Sequence, residues 1–268
     1  MITWDVDRII FQIYGPIALR WYSLFFLLGF ILGTYAFTSM VKKEGKDPTA
    51  YVDTGLMYLI IGTLVGARLA HCFFYEPNYY LANPLKIFQI WKGGLASHGG
   101  YLGCMIALFL LVRKYKELNF FWLIDRVAIL GAMGGGFIRL GNLFNSEIIG
   151  KVTDVPWAFI FIKVDSLPRH PTQIYEALAL FFSALIGYLY YRYHKRKPEE
   201  GRLFGLVLAL GCILRSLLEY YKENQVRFED DMFLNLGQLL SLPFIALGFF
   251  FFFGFHQKLF FNKKGPKK

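Results

Sequence analysis

Three stretches of the chain, residues 21–41, 93–112 and 232–255, contain no Asp, Glu, Lys or Arg. Each is long enough to cross roughly 30 Å of hydrocarbon as helix, which takes about 20 residues. A single soluble core has no need of such runs, and the hydrophobic fraction of 56% with mean hydropathy +0.41 exceeds what a soluble domain of 268 residues requires. A transmembrane β-barrel would alternate inward and outward over segments of about ten residues. These runs do not alternate. The fold class expected is therefore an all-α polytopic integral membrane protein with a single membrane domain over residues 1–268.

Spans are expected near 20–41, 52–75, 95–113, 121–141, 173–192, 203–221 and 234–256, seven in all. Asp125, Arg126 and Arg139 interrupt the fourth, and Arg215 and Glu219 lie inside the sixth, but polar connectors separate both cleanly. Lysine and arginine set the orientation. Connectors after the first, third and fifth spans hold Lys42, Lys43 and Lys46, then Arg113, Lys114 and Lys116, then Arg192, Lys195, Arg196, Lys197 and Arg202. Lys258, Lys263, Lys264, Lys267 and Lys268 follow the seventh, whereas the opposite connectors are much poorer. The positive-inside rule then puts the N-terminus outside and the C-terminus in the cytoplasm. Most of the +10 net charge becomes a topology and lipid-surface signal. No separate basic domain speaks for nucleic acid. Residues 1–18 carry Asp5, Asp7 and Arg8 where a cleaved leader would be basic, so no such leader is expected. Cys72, Cys104 and Cys212 lie in apolar segments and read as packing residues, and no cysteine or histidine spacing suggests a metal. The long connector 143–171 is expected to form a small extracytoplasmic cap between the fourth and fifth helices.

Ionisable groups at membrane depth cost on the order of 2.5–3.5 kcal/mol each on insertion, so they call for a reason. Arg139, Asn142, Asn145 and Glu147 follow a Gly134–Gly136 run; His98 sits among glycines; Arg215 and Glu219 are spaced to meet on one helix face. His170, Thr172, Gln173, Tyr175 and Glu176 open the fifth helix, and by the map all of these fall in the outer half of the membrane. Each has a structural reading too. Arg215 with Glu219, or Arg139 with Glu147, neutralise one another; His98 packs; the glycines let helices approach. Asp125, Arg126 and Arg68 read as structural partners or anchors. What those readings leave unexplained is two arginines, a histidine and flanking glycines at one depth. Such a group suits a phosphate head group whose acyl chains stay in the bilayer. Arginine offers a permanently charged fork for phosphate oxygens, and histidine moves a proton near neutral pH.

At these residues the chain resembles the prolipoprotein diacylglyceryl transferase family. The likeness is an ordered series: Gly15-Pro-Ile-Ala-Leu-Arg-Trp-Tyr22, Gly66-Ala-Arg68, Trp91-Lys-Gly-Gly-Leu-Ala-Ser-His98-Gly-Gly, Arg139-Leu-Gly-Asn142, Asn145-Ser-Glu147 to Gly150, Arg169-His-Pro-Thr-Gln-Ile-Tyr-Glu176, Arg215 with Glu219, and Gly237-Gln-Leu-Leu-Ser-Leu-Pro243. The resemblance implies a bacterial inner-membrane protein of seven helices that moves the diacylglyceryl group of phosphatidylglycerol to the lipobox cysteine of a prolipoprotein signal peptide. A thioether forms, glycerol phosphate leaves, and no metal or dissociable cofactor takes part. It implies His98 as the base, Arg139 and Arg215 gripping phosphate, and Glu147 and Glu219 positioning the arginines. Tyr22, Asn142, Asn145 and Gly150 are implied to hold head group or backbone shape. One departure stands out: the family's Arg-x-Pro-Asp element after the sixth helix is Tyr221-Lys-Glu-Asn-Gln-Val here. The competing reading is a lipid or anion transporter using the same arginines, although internal repeats and polar residues through the full thickness are missing.

Overall fold

The computed structural model describes residues 1–14, 17–49, 51–90, 93–223 and 234–260. Helices stand at all seven expected places: α1 (Trp21–Lys43), α2 (Val52–Ala70, continued by a π-helical turn to Tyr75), α4 (Ser97–Lys114), α5 (Phe120–Asn145), α6 (Thr172–Tyr193), α7 (Arg202–Leu218, continued by a 3₁₀ turn to Tyr221) and α8 (Leu236–Phe252). Short helices α3 (Pro77–Ala82) and α9 (Phe255–Phe260) and a 3₁₀ helix at Pro84–Phe88 accompany them. Among the described residues, five helices are long and apolar enough to cross a membrane: 21–43, 52–75, 120–145, 172–193 and 202–221. Their outward faces remain apolar, with Leu27, Ile31, Met57, Ile61, Leu178 and Leu185 all exposed, as expected where lipid rather than water surrounds a helix.

The chain is not purely helical. β1 (Ile2–Trp4) pairs in parallel with β4 (Phe159–Phe161), and β4 pairs antiparallel with β5 (Pro168–Arg169). A separate hairpin joins β2 (Ile9–Tyr14) to β3 (Ile17–Arg20). The connector 143–171 closes on the N-terminal strand. Leu143, Phe159 and Phe161 form its buried cluster, with Trp4, Ile149 and Ile174 packed against it. Trp4 donates its indole N–H to the Leu143 carbonyl at 3.1 Å, so the sheet is tied to the end of α5.

The chain divides into two compact units. In the unit 38–124, α2 and α4 pack backbone to backbone. Gly62, Gly66, Gly99 and Gly103 form two facing Gly-x-x-x-Gly pairs, where a Cβ on any of the four would run into the opposite helix. Small residues at this spacing let helices close in lipid, where no hydrophobic force pushes them together. Arg68, 3% exposed, spends its guanidinium on the carbonyls of Lys86, Ile87, Gly93 and Gly94 at 2.6–3.1 Å. Its structural reading holds.

The other unit comprises residues 1–37 and 125–268. At one end of its helices the Asp125 carboxylate accepts from the backbone N–H groups of Gly201 and Phe204, capping α7 at 2.9 and 2.7 Å. Arg126 lies 4.0 Å from that carboxylate and over the Tyr191 ring. Both serve the fold there. The remaining charged groups of interest collect at the opposite end, where α5 finishes, α6 begins, α7 finishes and α8 begins.

Candidate active site

Four element ends build the polar cluster. Arg139 and Asn142 occupy the last turns of α5, Asn145 ends it, and Glu147 follows in the connector. Glu176 is on the first turns of α6, Glu219 opens the 3₁₀ turn after α7, and Lys222 comes directly after that turn. Asn142, Glu176, Glu219 and Lys222 are all buried.

The contacts run as a chain. Glu147 accepts from the side-chain amides of Asn142 at 3.1 Å and Asn145 at 3.0 Å. The Asn142 amide oxygen accepts from Arg139 Nη1 at 3.4 Å. Arg139 Nε lies 3.1 Å from Glu176 Oε2, and Lys222 Nζ lies 3.4 Å from Glu176 Oε1. Lys222 then reaches both Glu219 oxygens at 3.1 Å. Two buried carboxylates and two cations thus compensate one another, which isolated buried charges cannot do. Held on two sides, Arg139 keeps Nη2 without a hydrogen-bond partner among the described residues.

The expected partnerships differ in detail. Arg139 pairs with Glu176, not Glu147; Glu147 touches the arginine only through Asn142. Glu219 pairs with Lys222, while Arg215, exposed on α7, makes no ion pair among the described residues. The helix geometry explains this: after Leu218 the chain tightens into the 3₁₀ turn, and Lys222, three residues beyond Glu219, reaches the carboxylate. Glu176 was legible only as one of several polar residues opening a helix, and Lys222 only as a connector charge. The signal for Lys222 was present as a charge at i+3 from a membrane-depth glutamate.

Glycines make the room. A Cβ at Gly237 would meet the Glu219 carboxylate carbon and oxygens at 2.5–2.9 Å, and one at Gly141 would meet the Tyr22 ring at 2.9 Å. Gly150 bridges to Lys222 in the backbone, its N–H donates to the His170 carbonyl at 3.1 Å, and a Cβ there would meet the His170 side chain at 2.6 Å. Tyr22 and Gly150 therefore flank the cluster within this unit.

Glu147 itself sits in a strained turn. Ser146 and Ile148 both have φ of 55°, a left-handed conformation unusual for any residue with a Cβ and worse for a branched one. The first turn of α6 holds it: Gln173 donates to the Glu147 carbonyl at 2.6 Å and Thr172 to the Ile148 carbonyl at 3.0 Å. Beside it, Arg169 binds Asp165 at 2.6 Å and Glu223 at 2.8 Å. The Arg169 guanidinium holds the Asp165 carboxyl below the usual carboxylate range. Burial pushes the His170 imidazole down from its ordinary value, and its Nδ1 lies 3.2 Å from the Tyr175 hydroxyl.

His98 belongs to the unit 38–124. It is exposed on the first turn of α4, after the left-handed Gly93 and Gly94 and behind the Ala96 N–H bond to Ala67 O at 2.9 Å. Trp91 and Lys92 of its motif lie outside the described residues, as do Gly15 and Pro16 of the N-terminal motif and the connector from residue 224.

Apolar helices long enough to span a bilayer, with a chain of buried ionised and amide groups at one helix end, mark a multi-pass membrane protein with a polar site. The family model for prolipoprotein diacylglyceryl transferase matches residues 8–254. A phosphatidylglycerol–prolipoprotein diacylglyceryl transferase of Tolumonas auensis is 47% identical over 248 residues, covering 92% of this chain and 95% of that protein. Those of Chloroherpeton thalassium and Bacteroides fragilis are 46% and 42% identical, over 92% and 96% of this chain and 91% and 96% of theirs. The chain belongs to the prolipoprotein diacylglyceryl transferase family.

Proposed function

We propose that this protein transfers the diacylglyceryl group of phosphatidylglycerol to the lipobox cysteine thiol of prolipoprotein signal peptides, the first step of lipoprotein maturation. The names of the relatives give the two substrates. The observation that carries the reading onto this chain is Arg139, braced by Glu176 and Asn142 with Nη2 turned to no protein acceptor among the described residues. In this reading the lipid's phosphate meets Arg139 and Arg215, while its acyl chains stay between the helices. Carbon–oxygen cleavage at the diacylglyceryl carbon leaves glycerol phosphate, whose developing charge the arginines stabilise. The thiol sulfur forms the new bond and His98 takes its proton, since a free thiol near pKa 8.5 is mostly protonated at neutral pH. Tyr22, Asn142, Asn145 and Gly150 shape the head-group end, and Glu219 acts through Lys222 and Glu176.

Seven spans in one membrane domain, counting α4 and α8 with the five longer helices, agree with the lysine and arginine asymmetry. That asymmetry supports an outer N-terminus, a cytoplasmic C-terminus and an extracytoplasmic site in the bacterial inner membrane, capped by the β1–β4–β5 sheet.

The test is purified protein in detergent with phosphatidylglycerol and a lipobox peptide. Thioether product is expected, with Arg139→Ala and Arg215→Ala lowering it about 10²–10³-fold and His98→Gln about 10²–10⁴-fold. Near wild-type transfer by His98→Gln contradicts the base assignment. Lipid movement without covalent product contradicts the enzyme reading and supports a transporter.

A further inference from the structure

Glu147 is the one member of the polar chain that is exposed. Each of its carboxylate oxygens accepts a single bond from a neutral amide, Oε2 from Asn142 and Oε1 from Asn145, and it has no cationic partner among the described residues. A carboxylate has about four acceptor positions, so both oxygens keep capacity for a donor that comes from outside the protein. The turn that presents it is strained at Ser146 and Ile148 and fastened from behind by Thr172 and Gln173. Strain held in place by surrounding bonds marks positions whose geometry is imposed by more than local preference. A carboxylate needed only to steady Arg139 would face it. Glu176 does that, and Glu147 reaches the arginine only through the Asn142 amide.

We infer that Glu147 is a specificity residue that accepts a hydrogen bond from a hydroxyl of the lipid head group, beyond the phosphate held by Arg139. The inference rests on the proposed reaction and adds what reads the head group. Asn142 spans the two functions: its oxygen takes the arginine and its nitrogen gives to the carboxylate. That sequence of cation, amide and carboxylate matches a ligand with a phosphodiester followed by a hydroxyl donor. The glycerol head of phosphatidylglycerol offers hydroxyls there, and a propyl head offers none.

The experiment compares kcat/KM for phosphatidylglycerol and for phosphatidylpropanol of the same acyl chains, with lipobox peptide as acceptor. Wild type is expected to prefer phosphatidylglycerol by about ten- to hundred-fold, the range for a hydrogen bond to a charged group. Glu147→Gln sets an amide N–H against one of the two asparagine donors; it is expected to bring phosphatidylglycerol down to the phosphatidylpropanol value while the latter moves less than about two-fold. Glu147→Asp, which keeps the charge, should restore part of the preference. Equal loss on both lipids in Glu147→Gln would show a residue acting only through Arg139, and overturns the inference. So does a wild type that treats the two lipids alike. A wild type that transfers from none of them overturns the inference and the proposed function together, whereas transfer without head-group preference overturns the inference alone.

Discussion

At the scale of single residues, the deciding feature is how charge is compensated where α5, α6 and α7 meet. Lys222 sits between Glu176 and Glu219, all three buried. Removing the cation leaves two carboxylates facing each other out of water. Lys222→Met is expected to destabilise the protein by about 3–5 kcal/mol, with Lys222→Arg much nearer wild type, both read from thermal unfolding in detergent. A second effect concerns His170. Its folded pKa lies below the unfolded value of 6.5 because burial disfavours the charged ring, whose Nδ1 lies 3.2 Å from the hydroxyl of Tyr175. The unfolded chain therefore binds the proton first. Stability is full above pH 6.5 and falls as pH drops from there toward the folded pKa. Tm measured at pH 7.5 and 5.5 should fall more in wild type than in His170→Gln; equal falls contradict this account. Much of this scale was legible. Arg139, Asn142, Asn145 and Glu147 do touch in a row. Their pairing was not, because which carboxylate meets which cation depends on the packing of α6 and α7 against α5, and local spacing pointed Arg215 at Glu219 instead of Lys222.

Elements were more transparent than their partners. Helices occupy the seven expected stretches to within a few residues, and among the described residues five of them are long and apolar enough to cross a membrane. The strands were missed for a physical reason: β1 and β4 pair across more than 150 residues, and a three-residue strand has no periodicity of its own. Paired glycines on α2 and α4 matter more than their propensity suggests. Gly103 lies against Gly62 and Gly66 with no space for a Cβ. Gly103→Val forces the helices apart and is expected to cost about 1–3 kcal/mol as overpacking, whereas Gly33→Ala, with nothing within 4 Å of its Cβ position, should be near neutral. Comparing the unfolding temperatures of the two variants in detergent checks the contrast.

For the whole molecule, the ionised groups of the unit 1–37 and 125–268 divide between its two helix ends by task. Asp125 and Arg126 secure one end, capping α7 and holding the turn after α6. The other end carries the chain from Glu147 to Glu219. A transporter would need polar residues along the path between the ends; a transferase working on a lipid head group needs them at one. In the proposed reaction Arg139 and its neighbours hold a phosphate that becomes the leaving group. The most direct measurement follows phosphorus and sulfur together in one reaction of wild-type protein, phosphatidylglycerol and lipobox peptide, counting glycerol phosphate released against thioether formed. One glycerol phosphate for every thioether, with both lost in Arg139→Ala, is the result expected. Thioether without glycerol phosphate, or undiminished release in Arg139→Ala, contradicts it.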